Sequence, residues 1–512
     1  MKIVGRLLKK TAEIGFKRTQ FKGMSFDYQL KSLNYLLDTA KKTDFGKNHD
    51  FGSLLKSKNM VSDFQQEVPI VDYEEYYQTW LHRTIDGLED HTWPGKINYF
   101  ALSSGTTGSP SKRIPVSKEM IKTFQKASMK QVTILHQLDL PVQFFQKSIL
   151  VVGGSTQLEK IQNRVEGDLS GILKKQTSWI ATPFTQPSNK VSEIKDWNKK
   201  LDKMVEEAPS WDIGIVAGVP SWCIMLIERI IDHYKLKSIH DIWPNFHVFV
   251  HGGVFIQPYL KRIERISGQK VHLLDTYLAS EGYFAYQDLI DGDSMRLLLN
   301  NQLFYEFVPF NNVHFGPDGN LLDRHKALTI EELVEGVDYA LVISTNAGLW
   351  RYLLGDLVQF TDLDKRQLKI TGRIKQYLSL VGEHLSMDNI NEALANVCLK
   401  LSVEINEFCI YIDESNQRHV WTIGSDEKID NNQFVASLDA ELAALNDDYR
   451  SVRKYNLNSP VLRSVKTSLF YQYMEYMGRL GSQNKFPRVM NEYQASEWIR
   501  FLSEHEVANK SN

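Results

Sequence analysis

Cysteine is scarce: Cys223, Cys398 and Cys409 are the only three in 512 residues. Their number is odd, their spacing is wide and no C-x-x-C pair occurs, which excludes a disulfide framework and a zinc knuckle. Net charge is nearly absent too, at −2, so no bulk attraction to nucleic acid or to an anionic membrane is expected. The longest apolar run, residues 213–227, is interrupted by Pro220 and Ser221, and it is too short and broken to span a bilayer. The first 23 residues are basic and lack the apolar core of a signal peptide. They read either as a membrane-surface helix or as an amphipathic helix packing on the body through Ile3, Val4, Leu7, Leu8 and Ile14, and the second reading is preferred. A reducing cytoplasm is the expected compartment.

What is present is an ordinary globular composition, 42% hydrophobic and 24% charged, over a length that calls for two or more domains. Strand-like and helical segments alternate from about residue 100 to 275, as in α/β layers. Strands are expected at 148–152, 213–217, 248–251 and 271–274, with a buried helix from Ser221 and another over 258–266. From 301 to 371 the texture becomes an antiparallel meander, with strands at 302–308, 339–344, 350–360 and 367–371. Beyond Gly372-Arg373, Ser386 is placed to cap a helix through Leu394, a hairpin turns around Asn416, and 432–445 is an amphipathic helix. The expected fold is α/β. A large N-terminal domain (1–374) holds α/β layers and a small β-barrel-like sheet. A smaller, mobile α+β C-terminal domain covers 375–512.

Four stretches carry chemistry. Ser103-Ser104-Gly105-Thr106-Thr107-Gly108 follows an apolar run and precedes Lys112. Glycines let the backbone approach closely, N–H groups and hydroxyls supply donors, and the lysine adds charge, so the loop is suited to wrap polyphosphate. It is not a Walker loop, because Gly105 and Gly108 are too close and no Gly-Lys-Ser/Thr follows. Taken alone it is equally a polar surface turn. Asp275-Thr-Tyr277-Leu-Ala-Ser280-Glu281-Gly282 sits at a strand end, where α/β sheets gather ligands. Tyr277 offers an aromatic face to a purine and Glu281 a hard oxygen to Mg²⁺. A core tyrosine beside a surface glutamate is the alternative. Asp356 interrupts the apolar strand 349–358 just after Gly355. Its two oxygens suit a pair of ribose hydroxyls, or they satisfy backbone donors in a bulge. Lys485 lies in the polar loop 481–488, which alone reads as a solvated surface lysine. Phe184, Trp222, Phe255 and Phe284 are candidate walls of an acyl site that read first as core, and His251 reads first as a satisfied buried histidine.

In this order the four stretches resemble the adenylate-forming superfamily, and within it the Gretchen Hagen (auxin-responsive) acyl acid amido synthetase family, over about residues 10–500. The phosphate loop with Lys112, Tyr277-x-x-Ser280-Glu281, Arg351-Tyr352-x-x-Gly355-Asp356 and Gln483-x-Lys485-x-Pro487-Arg488 carry the likeness. Gly372-Arg373, Val381-Gly-Glu383 and Asn446-x-x-Tyr449-x-x-x-Arg453 add to it. Ala279, Trp350 and Leu353 depart from residues common in the family, and the acid and the amine are left unread. The resemblance implies a ligase that uses ATP and Mg²⁺ to turn a carboxylic acid into an acyl adenylate, then passes the acyl group to an amino acid. An acyl–coenzyme A synthetase and a non-catalytic nucleotide sensor are the alternatives. It also implies roles. Ser103, Ser104, Gly105, Thr106, Thr107, Gly108 and Lys112 would hold phosphate, Tyr277 adenine, Glu281 Mg²⁺ and Asp356 ribose. Arg373 would contact the nucleotide, Lys485 would be catalytic, and Lys375 would be the hinge.

Overall fold

The computed structural model describes residues 9–10, 13–16, 26–103, 112–176, 184–290, 292–316, 319–374, 378, 380, 383, 385–481 and 484–510. Its strands begin with β1 (Tyr99–Ser103), β2 (Lys112–Val116), β3 (Ser148–Val152), β4 (Glu159–Ile161), β5 (Arg164–Gly167) and β6 (Thr185–Gln186). They continue with β7 (Ile213–Gly218), β8 (Val248–Gly252), β9 (His272–Ala279), β10 (Gly282–Tyr286), β11 (Met295–Leu297) and β12 (Phe304–Pro309). The last six are β13 (Asp338–Ser344), β14 (Tyr352–Asp362), β15 (Gln367–Arg373), β16 (Glu407–Asp413), β17 (Arg418–Gly424) and β18 (Val461–Val465).

Eleven strands form one sheet in the order β12-β13-β14-β15-β11-β10-β9-β8-β7-β3-β6. The end from β9 to β6 is parallel. Its strands are near-continuous apolar runs, as expected where helices cover both faces; in β7, Ile213, Ile215 and Val216 are all buried. The helix Pro220–Tyr234 follows β7 with proline in its first turn, where the missing N–H costs nothing. β9 is the switch strand: it pairs parallel with β8 and antiparallel with β10.

The meander at 302–371 is therefore not a sheet of its own. β12 to β15 join the parallel strands through β11 and β10, two short strands that the sequence pattern does not announce. Yet this end curls as a barrel does. Four inter-strand gaps separate β9 from β14, about 19 Å in a flat sheet, while the Tyr277 hydroxyl lies 2.8 Å from the Asp356 carboxylate. A second sheet runs β2-β1-β5-β4.

By contacts the chain divides into two units. One takes in the chain to Ser103, Lys112–Val254 and Glu264–Ile370; the other takes in Phe255–Ile263 and the chain from Thr371. The first unit's core centres on Trp350, which stacks on Phe45 at 5.6 Å and meets Phe51 edge-on at 4.8 Å. The second unit holds the sheet β16-β17-β18 and its own core, including Trp421, Phe434, Leu438 and Tyr449. Ser386 caps the helix Met387–Leu401 with a reciprocal capping box to Asn389, and the hairpin turns through Asn416 as expected. Ile14 is 43% exposed, so it does not pack as the amphipathic reading requires; Ile3, Val4, Leu7 and Leu8 lie outside the described residues. Among the described residues no helix is long and apolar enough to cross a membrane.

Candidate active site

The switch strand carries the second motif and β14 the third. Between Ala340↔Leu357 and Val342↔Leu353 the ladder slips, so three residues of β14 face one of β13. Gly355 sits in this bulge with φ of 92°, a left-handed conformation that glycine adopts without steric cost. The bulge re-aims Asp356, which accepts the Tyr277 hydroxyl at 2.8 Å. Asp356 thus sits in a bulge as expected, but the hydrogen bond it accepts comes from the Tyr277 side chain and not from a backbone donor. Tyr277 is 3% exposed, with its ring edge-on to Phe284 at 4.9 Å, so the hydroxyl side is committed to Asp356. Ser280 and Glu281 are buried at the turn into β10.

The ends of the phosphate loop are fixed opposite each other. Ser103 closes β1 and Lys112 opens β2, and the two are cross-strand partners. The Lys112 ammonium stands 5.1 Å over the Tyr73 ring, whose hydroxyl accepts the Arg113 backbone N–H at 2.9 Å. Ser104, Gly105, Thr106, Thr107 and Gly108 lie outside the described residues, as does Lys375.

Where the end of β8 lies beside the middle of β9, which runs on past the strand end expected at 274, His251 and Asp275 are cross-strand partners, with Nδ1 3.4 Å from Oδ1. The histidine is buried and its Nδ1 makes no hydrogen bond, contrary to the satisfied histidine expected. Burial holds His251 down to about 4. Burial also pushes Asp275 up to about 6, against the opposing pull of the Thr276 N–H that it accepts at 2.7 Å. An ion pair would shift both groups the other way, so the two stand as neutral-leaning neighbours. Next in register, Gly252 leaves no room for a side chain: a Cβ there would come within 2.4 Å of the Thr276 carbonyl oxygen.

Arg351, part of the third motif, turns inward. It pairs with Glu306 at 2.9 Å with both side chains fully buried, and its guanidinium donates to the carbonyls of Gln65, Val68 and His325. Glu306 is the residue that sequence reading missed. The signal was there, since it is a carboxylate inside the apolar strand Phe304–Pro309, the same anomaly that marked Asp356. Of the aromatic residues read as core, Trp222 and Phe284 are buried, whereas Phe184 and Phe255 are 49% and 40% exposed.

Tyr277, Glu281, Asp356, Ser103 and Lys112 belong to the first unit, and Arg373 and Lys485 to the second. Arg373 ends β15 and Lys485 is exposed. Other motif residues of the second unit make structural pairs, of which Glu383–His419 is fully buried. Glu383 accepts from His419 Nε2 at 2.7 Å. Asn446 caps the helix Asp447–Val452 through the Tyr449 N–H, while Tyr449 and Arg453 both hold Asp439.

The GH3 family N-terminal domain matches residues 20–202, the central domain 296–373 and the C-terminal domain 388–494. The indole-3-acetic acid-amido synthetase GH3.3 of Arabidopsis thaliana is 24% identical over 276 residues, 49% of this chain and 45% of that protein. The jasmonoyl--L-amino acid synthetase GH3.5 of Oryza sativa subsp. japonica is 24% identical over 275 residues, 49% and 47%. The chain thus spans less than half the length of these relatives. Among solved structures, the GH3.15 acyl acid amido synthetase aligns with a TM-score of 0.76 at 17% identity, covering 98% of this chain and 96% of that one. A 2-hydroxyisobutyryl-CoA ligase in the postadenylation state aligns at 0.58 and 14% identity, covering 94% of each. The α/β fold is that of the adenylate-forming enzymes, and with three domain models matched in chain order the protein belongs to the GH3 family.

Proposed function

We propose that the protein uses ATP to activate a carboxylic acid as an acyl adenylate and then transfers the acyl group to the amine of an amino acid. The observation that carries this reading is the 2.8 Å bond between Tyr277 and Asp356. It joins the adenine motif to the ribose motif across three intervening strands, at the strand where the sheet changes direction. The names of the plant relatives, an indole-3-acetic acid-amido synthetase and a jasmonoyl--L-amino acid synthetase, support the same reading.

A carboxylate is a poor electrophile. In the first step its oxygen attacks the α-phosphorus of ATP and pyrophosphate leaves. In the second the amine attacks the acyl carbonyl and AMP leaves. The chain's contribution is position and charge. The loop anchored at Ser103 and Lys112, with Ser104, Gly105, Thr106, Thr107 and Gly108, clamps the β- and γ-phosphates. Asp356 takes the ribose hydroxyls, Tyr277 borders the adenine and Arg373 adds a nucleotide contact. Lys485 neutralises charge between the α-phosphate and the attacking carboxylate. Glu281 fits Mg²⁺, because a single buried carboxylate oxygen shared with substrate phosphates is the usual donor set of that ion. The ion would draw charge off the phosphates. Among the described residues no three His, Cys, Asp or Glu converge to hold a metal, which suits an ion completed by substrate. The second unit moves about Lys375 between the two steps. A cytoplasmic location belongs to the same reading.

The test incubates the protein with MgATP, a panel containing indole-3-acetic, jasmonic and benzoic acids, and either amino acids or coenzyme A. Acid-dependent pyrophosphate followed by amide is expected. Thioester in place of amide would make the protein a coenzyme A ligase, and pyrophosphate absent with every acid would leave a nucleotide sensor.

A further inference from the structure

Lys485 is exposed, and a lysine's four-carbon chain brings its ammonium to the tolerance that catalysis needs only from a backbone that is itself held. Its neighbours hold that backbone. Phe486 on one side is buried in an aromatic nest, 4.6 Å from Phe470, 5.2 Å from Trp498 and 5.7 Å from Tyr473 between ring centroids. Pro487 then fixes one backbone torsion. Arg488 follows, and it is tied down in several ways. Its carbonyl accepts the Ile410 N–H at 2.8 Å, and the Ile410 carbonyl accepts the Met490 N–H at 2.8 Å, so 488–490 lies as a short parallel strand beside β16. Its guanidinium meets Glu407 Oε2 at 2.6 Å, donates to the Phe408 carbonyl at 2.9 Å and to the Tyr259 hydroxyl at 3.3 Å, and lies 4.5 Å over the Phe408 ring. Glu407 is buried, and its other oxygen accepts the hydroxyls of Tyr259 and Tyr471.

We infer that Arg488 is a positioning residue for Lys485: its fork, locked by Glu407, Phe408 and Tyr259, fixes the backbone from which the catalytic ammonium projects. The inference rests on the adenylation role of Lys485 given above. A lysine at 488 would keep the charge but not the fork, so the loop would loosen while Glu407 stays paired.

Arg488→Lys is expected to lower kcat for acid-dependent pyrophosphate release about 100-fold, the cost of misplacing a reacting group by about 1 Å. The KM for ATP changes by less than about twofold, and amide formation from supplied acyl adenylate is spared. In a Lys485→Ala background the same change has almost no further effect, as for two residues acting as one. Full additivity of the two variants, or equal loss of both half-reactions, overturns the inference. Glu407→Gln, isosteric and neutral, loosens the same lock from the other side and is the variant to read if Arg488→Lys does not accumulate folded. Amide hydrogen exchange over 484–486 supplies a readout independent of activity. It accelerates at least about tenfold in Arg488→Lys, with β17 unchanged, and unaltered exchange would also overturn the inference. Should the unmodified protein release no pyrophosphate with indole-3-acetic, jasmonic or benzoic acid, the adenylation reading fails, while exchange still decides whether Arg488 holds the loop.

Discussion

Tyr277 Oη and Asp356 Oδ2 stand 2.8 Å apart although four inter-strand gaps lie between their strands. The curl of the antiparallel end brings them together, and the tyrosine thereby fixes the orientation of the carboxylate that would read the ribose. Tyr277→Phe takes away one donor from a buried carboxylate, a loss of about 1.5–3 kcal/mol for a charge-assisted bond. In the role we propose for it, an oriented Asp356 would bind nucleotide alike in ground and transition states, and the change should appear as a KM for ATP raised about tenfold or more with kcat nearly kept. Discrimination against 2′-deoxy-ATP should shrink as well. Steady-state pyrophosphate release with both nucleotides measures this, and an unaltered KM would remove Tyr277 from the nucleotide site.

Glu281 supplies the one protein carboxylate that we assign to Mg²⁺. Glu281→Gln keeps size and hydrogen bonding but removes the charge. The Mg²⁺ concentration for half-maximal adenylation is expected to rise at least about tenfold, with the melting temperature in EDTA within a few degrees of the parent. A parallel loss of rate at every Mg²⁺ concentration would instead show that the carboxylate serves the fold.

How far the sequence could be read depended on whether a residue's partner was local. Asp356 stood out because a carboxylate in an apolar strand costs free energy unless something binds it. Its partner Tyr277 was invisible, because that contact follows from a curl set by β10 and β11. The parallel strands, the Ser386 cap and the hairpin at Asn416 were legible, since each is written in periodicity or turn chemistry a few residues long. The small barrel or sheet expected at 302–371, attached to the α/β body, is continuous with the body's own sheet, because hairpin turns say which strands adjoin but not where the sheet's edge lies. Arg351 was legible only as part of a motif pattern, with no role attached. Its partners Glu306, Gln65 and Val68 lie scattered along the chain and make it part of the frame.

That frame gives a stability prediction. Arg351 and Glu306 are both fully buried, so removing either partner strands the other's charge and costs about 3–5 kcal/mol. Glu306→Ala should lower the urea midpoint of the first unit, followed by near-ultraviolet circular dichroism of its tryptophans. The double variant Arg351→Met/Glu306→Leu should recover only part of the loss, because no unpaired charge remains but the carbonyls of Gln65, Val68 and His325 lose their donor. A single variant as stable as the parent would mean that water reaches the pair.

The His251–Asp275 neighbours make a sharper prediction about pH. His251 is held down to about 4 from 6.5, so below 6.5 the unfolded chain takes up a proton that the folded one refuses. Stability from this residue is therefore full above 6.5 and lost as pH falls toward 4, by up to about 3 kcal/mol at 1.36 kcal/mol per unit. Asp275 is raised from 3.8 to about 6, so the folded chain takes up a proton that the unfolded one does not. Its penalty is full above 6 and relieved as pH falls toward 3.8. Between about 4 and 6 the two slopes oppose each other, and the Asp275 slope is the weaker because its side chain is 39% exposed. In the parent protein the aspartate thus flattens part of the histidine's fall across that window. Asp275→Asn removes the compensation, and melting temperatures from pH 7 to 4 should then fall more steeply than in the parent. His251→Gln removes the opposite term, and its melting temperature should fall less steeply, or rise, over the same range. Burial is the only cause lowering His251, so its shift survives loss of the aspartate. Identical pH profiles for the parent and both variants would show instead that the histidine titrates in the folded protein as it does in water.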